Sequence, residues 1–239
     1  MKLFLNVLLS LIAISQSFAS TNIKSQDIPK TSTVILNESE NSRQNKKTSL
    51  ALRSGSIAGG ISGSGVDISF FSDTNTQFGI EYMTGTHDLK PDIASIYSET
   101  IDKANLNAQL IGIYGKYFTG NSFAINGGIS FRKIEADYII TNKSLSDYYV
   151  NSEVSGSATI GNIGIGNYWS WDNGFVLGCE WINYQIPLAN KKYSSNTITG
   201  PGFDKSKSDE LEKISMDLAK LFSSASTLQV LNIYLGYSF

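Results

Sequence analysis

The chain predicts an all-β fold: an eight-stranded antiparallel barrel with its apolar side turned outward. Three observations predict it. From residue 49 onward apolar residues alternate with small or polar ones, which is strand periodicity. Short turns and long polar connections trade places along the chain, as they do in membrane-spanning barrels. The final residues, Leu231 to Phe239, alternate strictly and end on an aromatic ring.

Residues 1–19 read as a secretory signal peptide. Lys2 supplies the positive start, Leu3 to Ile14 the apolar stretch, and Ser17-Phe18-Ala19 a small-x-small cleavage site. Residues 20–48 are polar and mixed in charge, a composition that buries too little apolar surface to offset chain entropy, so a disordered periplasmic tail is expected there. Thr33-Val34-Ile35-Leu36 is its one apolar run, a candidate docking peptide. The barrel is expected over 49–239.

Turn signals fall at Ser72-Asp73-Thr74-Asn75, Thr119-Gly120-Asn121 and Asp172-Asn173-Gly174. Long polar connections fall at 88–104, 139–151 and 188–226. If every short turn is periplasmic, the strand before Ser72 runs inward, and one outward strand must precede it. Leu50 to Ile57 fits, joined through Gly59-Gly60. The strands become 49–58, 62–71, 76–87, 105–118, 122–138, 152–171, 174–187 and 227–239, an even number with both ends on the periplasmic side. Residues 208–224 place Leu211, Ile214, Leu218, Leu221 and Phe222 at helical spacing. A strand there would send the carboxyl terminus to the wrong side of the membrane. A short amphipathic helix in the last extracellular loop is expected instead.

A soluble carrier barrel would also alternate, with its apolar side inward. The faces argue otherwise. Phe78, Ile80 and Tyr82 share one side of their strand against Gln77, Gly79 and Glu81. Phe123, Ile125, Ile129 and Phe131 oppose Asn126, Ser130 and Arg132, and Phe175, Leu177, Cys179 and Trp181 oppose Gly178 and Glu180. Aromatics flank the short turns (Phe70, Phe71, Phe78, Tyr117, Phe118, Phe123, Trp169, Trp171, Phe175), as an interfacial girdle would. No internal stretch reaches the roughly 18 apolar residues of a spanning helix. A barrel is then the one way for this chain to cross a bilayer.

The terminal Leu231, Ile233, Leu235, Tyr237 and Phe239 resemble the signal that the barrel assembly machinery reads in outer-membrane proteins. In architecture residues 49–239 resemble the small outer-membrane barrels similar to OmpX and the OmpA transmembrane domain. The chain stops at the last strand, so no peptidoglycan-binding domain is expected. The resemblance implies a bacterial outer-membrane location, with membrane lipid, lipopolysaccharide and the assembly machinery as partners.

Face parity puts Asp67, Glu81, Lys116, Arg132 and Glu180 in the lumen. Eight strands leave an interior filled by side chains, and buried opposite charges are expected to pair. A plugged lumen is the structural expectation and a narrow channel the functional alternative. A lipid A-modifying enzyme is a third reading. His87 beside Asp88 at the outer end of its strand is the one candidate base, and Thr84-Gly85-Thr86-His87-Asp88 does not match a deacylase motif. Cys179 faces lipid, which is a poor setting for a nucleophile, and as the sole cysteine it makes no intramolecular disulfide. No metal cluster or phosphate loop is present in the sequence, so neither a cofactor nor catalysis is expected. A net charge of −2 gives no electrostatic case for nucleic acid. In the loops Tyr97, Tyr148, Tyr149 and Tyr193 suggest a surface for an extracellular ligand, and Lys143, Lys191, Lys192, Lys205 and Lys207 suggest contacts to lipopolysaccharide phosphates. The function expected is a non-enzymatic barrel that supports envelope integrity or surface interaction.

Overall fold

The computed structural model describes residues 38–58, 61–88, 100–142, 148–199 and 205–239. The signal peptide, Thr33-Val34-Ile35-Leu36, Gly59-Gly60, Tyr97 and Lys143 lie outside them. Eight strands close into one antiparallel barrel in chain order: β1 (Thr48–Ala58), β2 (Ile61–Phe71), β3 (Thr76–Asp88), β4 (Thr100–Phe118), β5 (Phe123–Asn142), β6 (Tyr148–Ser170), β7 (Phe175–Thr199) and β8 (Thr227–Ser238). Helix α1 (Glu38–Asn45) precedes β1, and helix α2 (Lys205–Ser224) lies between β7 and β8.

Alternation sorts the side chains as the sequence pattern requires. Leu50, Ile68, Ile80, Ile113 and Ile129 stand side by side on successive strands, and all face outward. Arg53, Asp67, Glu81, Lys116 and Glu180 face inward and are buried. The glycine-rich β4 and β6 send their even-numbered residues inward: Ala108, Leu110 and Tyr114 on β4, Val154, Ala158 and Tyr168 on β6.

Four findings differ from the sequence expectation. First, residues 38–45 are helical, so the tail expected over 20–48 is ordered in its last part. Its main anchor is Arg43, which is fully buried, with Ser39 and Ser42 buried beside it. Second, much of the long polar connections is strand. β6 and β7 run to 23 and 25 residues, against the roughly 9–11 that cross a bilayer. Each serves as the other's ladder partner from Tyr149–Thr199 downward, so polar sequence costs nothing there in unpaired backbone. Third, the aromatics beside the turns split between two roles. Adjacent rings in a strand point to opposite faces, so Phe70 and Tyr117 join the outer belt while Phe71 and Phe118 turn inward. There they stack edge-on with Tyr168 at 6.2 and 5.9 Å between ring centres.

The fourth concerns α2, whose buried stripe is not the one its large apolar residues suggest. Ser215, Ala219 and Ser223, four residues apart, are fully buried, and Leu221 is exposed. Small residues let the helix backbone approach the inner wall closely. The approach is tightest at Gly156 of β6, where an added Cβ would stand 2.7 Å from the carbonyl oxygen of Ala219. Leu211, Leu218 and Phe222 flank the stripe and pack on Ala104, Tyr138 and Val154.

The β1–β8 seam closes the barrel from Ser49–Ser238 to Ser54–Ile233. Immediately beyond it Leu231 adopts a left-handed backbone with φ 59°, which costs a non-glycine residue about 1–2 kcal/mol. Alternation slips by one residue at this point, so both Val230 and Leu231 face outward.

A cation at the middle of the outer belt should be costly if that belt faces hydrocarbon. Ile113→Arg is expected to lower unfolding free energy by about 2–4 kcal/mol in urea titrations of the barrel refolded in bilayers. A change below about 0.5 kcal/mol, the usual size of a surface substitution in water, would mean that this face meets water.

Candidate functional site

The interior is built in layers from one mouth to the other. At the short-turn mouth, the Arg43 guanidinium donates to the carbonyls of Thr74 (2.6 Å), Asn121 (2.6 Å) and Gly120 (3.2 Å), and sits 4.1 Å over the Phe118 ring. Ser39 accepts from the Ser170 amide, and Ser42 donates to the Trp171 carbonyl. One short helix thus ties all three short turns together. Burial pulls the Arg43 guanidinium down to about 10, with Glu40 opposing, so it remains a cation at neutral pH. Phe71, Phe118, Ala124, Tyr168 and Val176 form the apolar floor beneath it.

The next layer is charged. Glu81 and Glu180 both converge on Arg53; the Arg53–Glu180 pair measures 3.0 Å. Glu180 also accepts from Asn126 (2.5 Å), Asn232 (3.3 Å) and the Tyr234 hydroxyl. Tyr114 donates to Asp67 at 2.8 Å, and Ser130 to Glu81 at 3.2 Å. The Lys116 ammonium lies 4.1 to 5.1 Å from the ring centres of Tyr234, Tyr114 and Tyr168. A cavity of about 10 Å³ remains beside Lys116, Asn126, Tyr168 and Glu180, room for roughly one water.

Four of the five lumen charges read from the sequence, Asp67, Glu81, Lys116 and Glu180, come together in this layer. Arg132 lies outside it. Its guanidinium donates to Gln185 (3.3 Å), Thr227 (3.4 Å) and the carbonyls of Phe222 (3.3 Å) and Ala225 (3.1 Å), and so caps the carboxyl end of α2. A cation there also opposes the helix dipole. Sequence reasoning missed Arg53, the hub of the cluster. Its signal was present: Leu50 and Leu52 are the outward residues of β1, which makes Arg53 inward. Arg43 carried no such signal, because its three acceptors are turn carbonyls brought together by closure of the barrel.

Above the charges the lumen turns apolar, with Ile57, Ala58, Met83, Leu106, Leu110 and Ile134 packed together under Phe222 of α2. The other residues singled out in the sequence are placed as follows. Leu231, Ile233, Leu235, Tyr237 and Phe239 all face outward and are exposed. Cys179 is outward and half-buried, in register with Ile233. His87 is exposed at the long-loop end of β3, and Lys191, Lys192 and Tyr193 are exposed on β7.

No protein-family model and no curated protein sequence matches the chain. Solved structures do. The major outer membrane protein of Thermus thermophilus superposes with a TM-score of 0.50 at 10% identity, over 80% of this chain and 99% of that one. CarO of Acinetobacter baumannii gives a TM-score of 0.45 at 9% identity over 82% of this chain, and CarO2 of the same organism 0.47 at 9% over 81%, each over 99% of its own length. The fold is that of an outer-membrane β-barrel.

The charged layer and the mouth below it generate two predictions. Arg53→Met strands two buried carboxylates and is expected to cost about 3–5 kcal/mol of unfolding free energy in urea titrations; adding Glu81→Gln and Glu180→Gln should return much of it. Arg43→Ala removes charge-assisted bonds of about 1.5–3 kcal/mol each and should expose Lys46 and Lys47 to trypsin while the barrel itself stays protected.

Proposed function

We propose that the chain is a sealed, non-enzymatic barrel of the bacterial outer membrane that reinforces the envelope and presents its tall β4–β7 wall as an extracellular contact surface. The observation that carries this reading is the filling of the lumen from mouth to mouth. Arg43 and an aromatic floor close the periplasmic end. A charged layer, an apolar layer and α2 follow, with a cavity among the charges that holds about one water. A solute path would need all of these layers to move. An acyl-transfer or deacylase reading finds little support, since the residues around His87, exposed at the rim of the barrel, do not match a deacylase motif.

The outward belt of Leu, Ile and Phe suits lipid tails. The alternating terminal strand ending in Phe239 suits the barrel assembly machinery. Exposed Lys191 and Lys192 on β7 suit lipopolysaccharide phosphates, and Tyr193 beside them suits an extracellular ligand.

Two measurements test the reading. The protein should fractionate with outer membranes and shift in gel mobility on boiling. In planar bilayers the refolded barrel should give no reproducible conductance steps. Steps that change size when Arg132 is replaced by Glu would favour a channel instead.

A further inference from the structure

We propose that the upper β1–β8 seam is a lateral portal, held shut by the side chains of Asn232 and Gln229, through which a single alkyl chain passes from the membrane into the apolar upper lumen. This rests on the outer-membrane reading above. The backbone ladder of the seam ends at Ser54–Ile233, yet β1 continues to Ala58 and β8 begins at Thr227. The two strands face each other over this stretch without a ladder between them. Hydrocarbon offers no partner to an open strand edge. Two amide side chains take over the work. The Ser56 amide donates to the Asn232 side-chain oxygen (3.1 Å), and Gln229 donates to the carbonyls of Ser56 (2.5 Å) and Ile57 (3.2 Å). Asn232 also donates to Gln229 (3.1 Å), so the two close the gap as a unit. Gly55 is required opposite them, because a Cβ there would collide with the Asn232 side chain.

Opening breaks no ladder, but it costs the three bonds that Asn232 and Gln229 make to the Ser56 and Ile57 backbone. Outside the gap stand Leu228, Val230 and Leu231, all exposed and apolar, so it opens toward lipid tails. Inside stand Ile57, Met83 and Leu110, with Phe222 of α2 packed on the same cluster from above. The portal is also coupled to α2. The helix runs directly into β8, and Arg132 holds its last carbonyls together with Thr227. Leu231, in its left-handed backbone, lies within the unladdered segment. Upper β8 keeps its ladder to β7 from Thr227–Gln185 to Val230–Ile182. It therefore parts from β1 as one edge of a hairpin, drawing Phe222 off the cluster.

The chemistry inside selects the ligand: an unbranched saturated chain, with its polar head left at the membrane surface. Bilayer phospholipid and free fatty acid share that chemistry.

The test places the full chain in nanodiscs of chain-deuterated phospholipid, with the methionine methyls carbon-13 labelled, and records transfer of magnetisation from protonated sodium dodecanoate to the buried Met83 methyl. A parallel sample replaces dodecanoate with protonated phospholipid to identify the source of the chain. Removing the closers, Gln229→Ala with Asn232→Ala, is expected to tighten apparent dodecanoate binding at Met83 about tenfold, a change of about 1.4 kcal/mol. Ser56→Cys with Leu231→Cys, in a Cys179→Ser background, should abolish the signal when oxidised and restore it on reduction. A Met83 signal that survives the oxidised lock would mean entry through the mouth and would overturn the portal. So would its absence from the Gln229→Ala, Asn232→Ala protein. The boiling-dependent gel shift, read on every variant, separates failure of the portal from failure of the barrel reading itself.

Discussion

Eight strands enclose a space just wide enough for side chains to fill, and most of this structure follows from that constraint. Nothing inside can be left to bulk water, so each inward residue has to find its partners among other inward residues. The charged layer is the sharpest case. Among the described residues the barrel interior buries the cations Arg53, Lys116 and Arg132 and the carboxylates Asp67, Glu81 and Glu180. Burial of any one of them alone would be very costly. Arg53 serves Glu81 and Glu180 at once, Tyr114 donates to Asp67 and Tyr234 to Glu180, and Lys116 rests against three aromatic faces.

The same constraint explains why both mouths are stoppered from within the chain. An open mouth would leave the apolar floor of Phe71, Phe118 and Tyr168, or the apolar layer of Ile57, Met83 and Leu110, against water. Helix α1 covers the first through Arg43 and α2 covers the second through Phe222. Both helices are held by guanidinium groups donating to backbone carbonyls: turn carbonyls at one end, carbonyls at the end of the helix at the other. An arginine suits this task because its fork of donors spans several acceptors in one geometry.

Backbone pairing is the second requirement, and the upper β1–β8 seam is where it is met differently. There Asn232 and Gln229 stand in for a ladder. The register slip at Leu231 brings both amides inward on the same strand, so its strained backbone and the side-chain closure are one feature.

The parity of the short turns gave the strand count, and period-two alternation by itself determined the facing of most strands and the inward position of Asp67, Glu81, Lys116, Arg132 and Glu180. Facing depends only on neighbouring residues along one strand, and a strand has just two sides. Helical spacing likewise marked α2. What the sequence could not decide is what depends on residues far apart in the chain. Arg43 became a stopper because closure brings Thr74, Gly120 and Asn121 within reach of one side chain. Arg132 left the charge cluster because α2 descends far enough for its final carbonyls to claim the guanidinium. The small face of α2, rather than its leucines, was buried because Gly156 leaves room there for a helix backbone. In each case the deciding partner is supplied by another part of the chain, and only the closed barrel brings the two together.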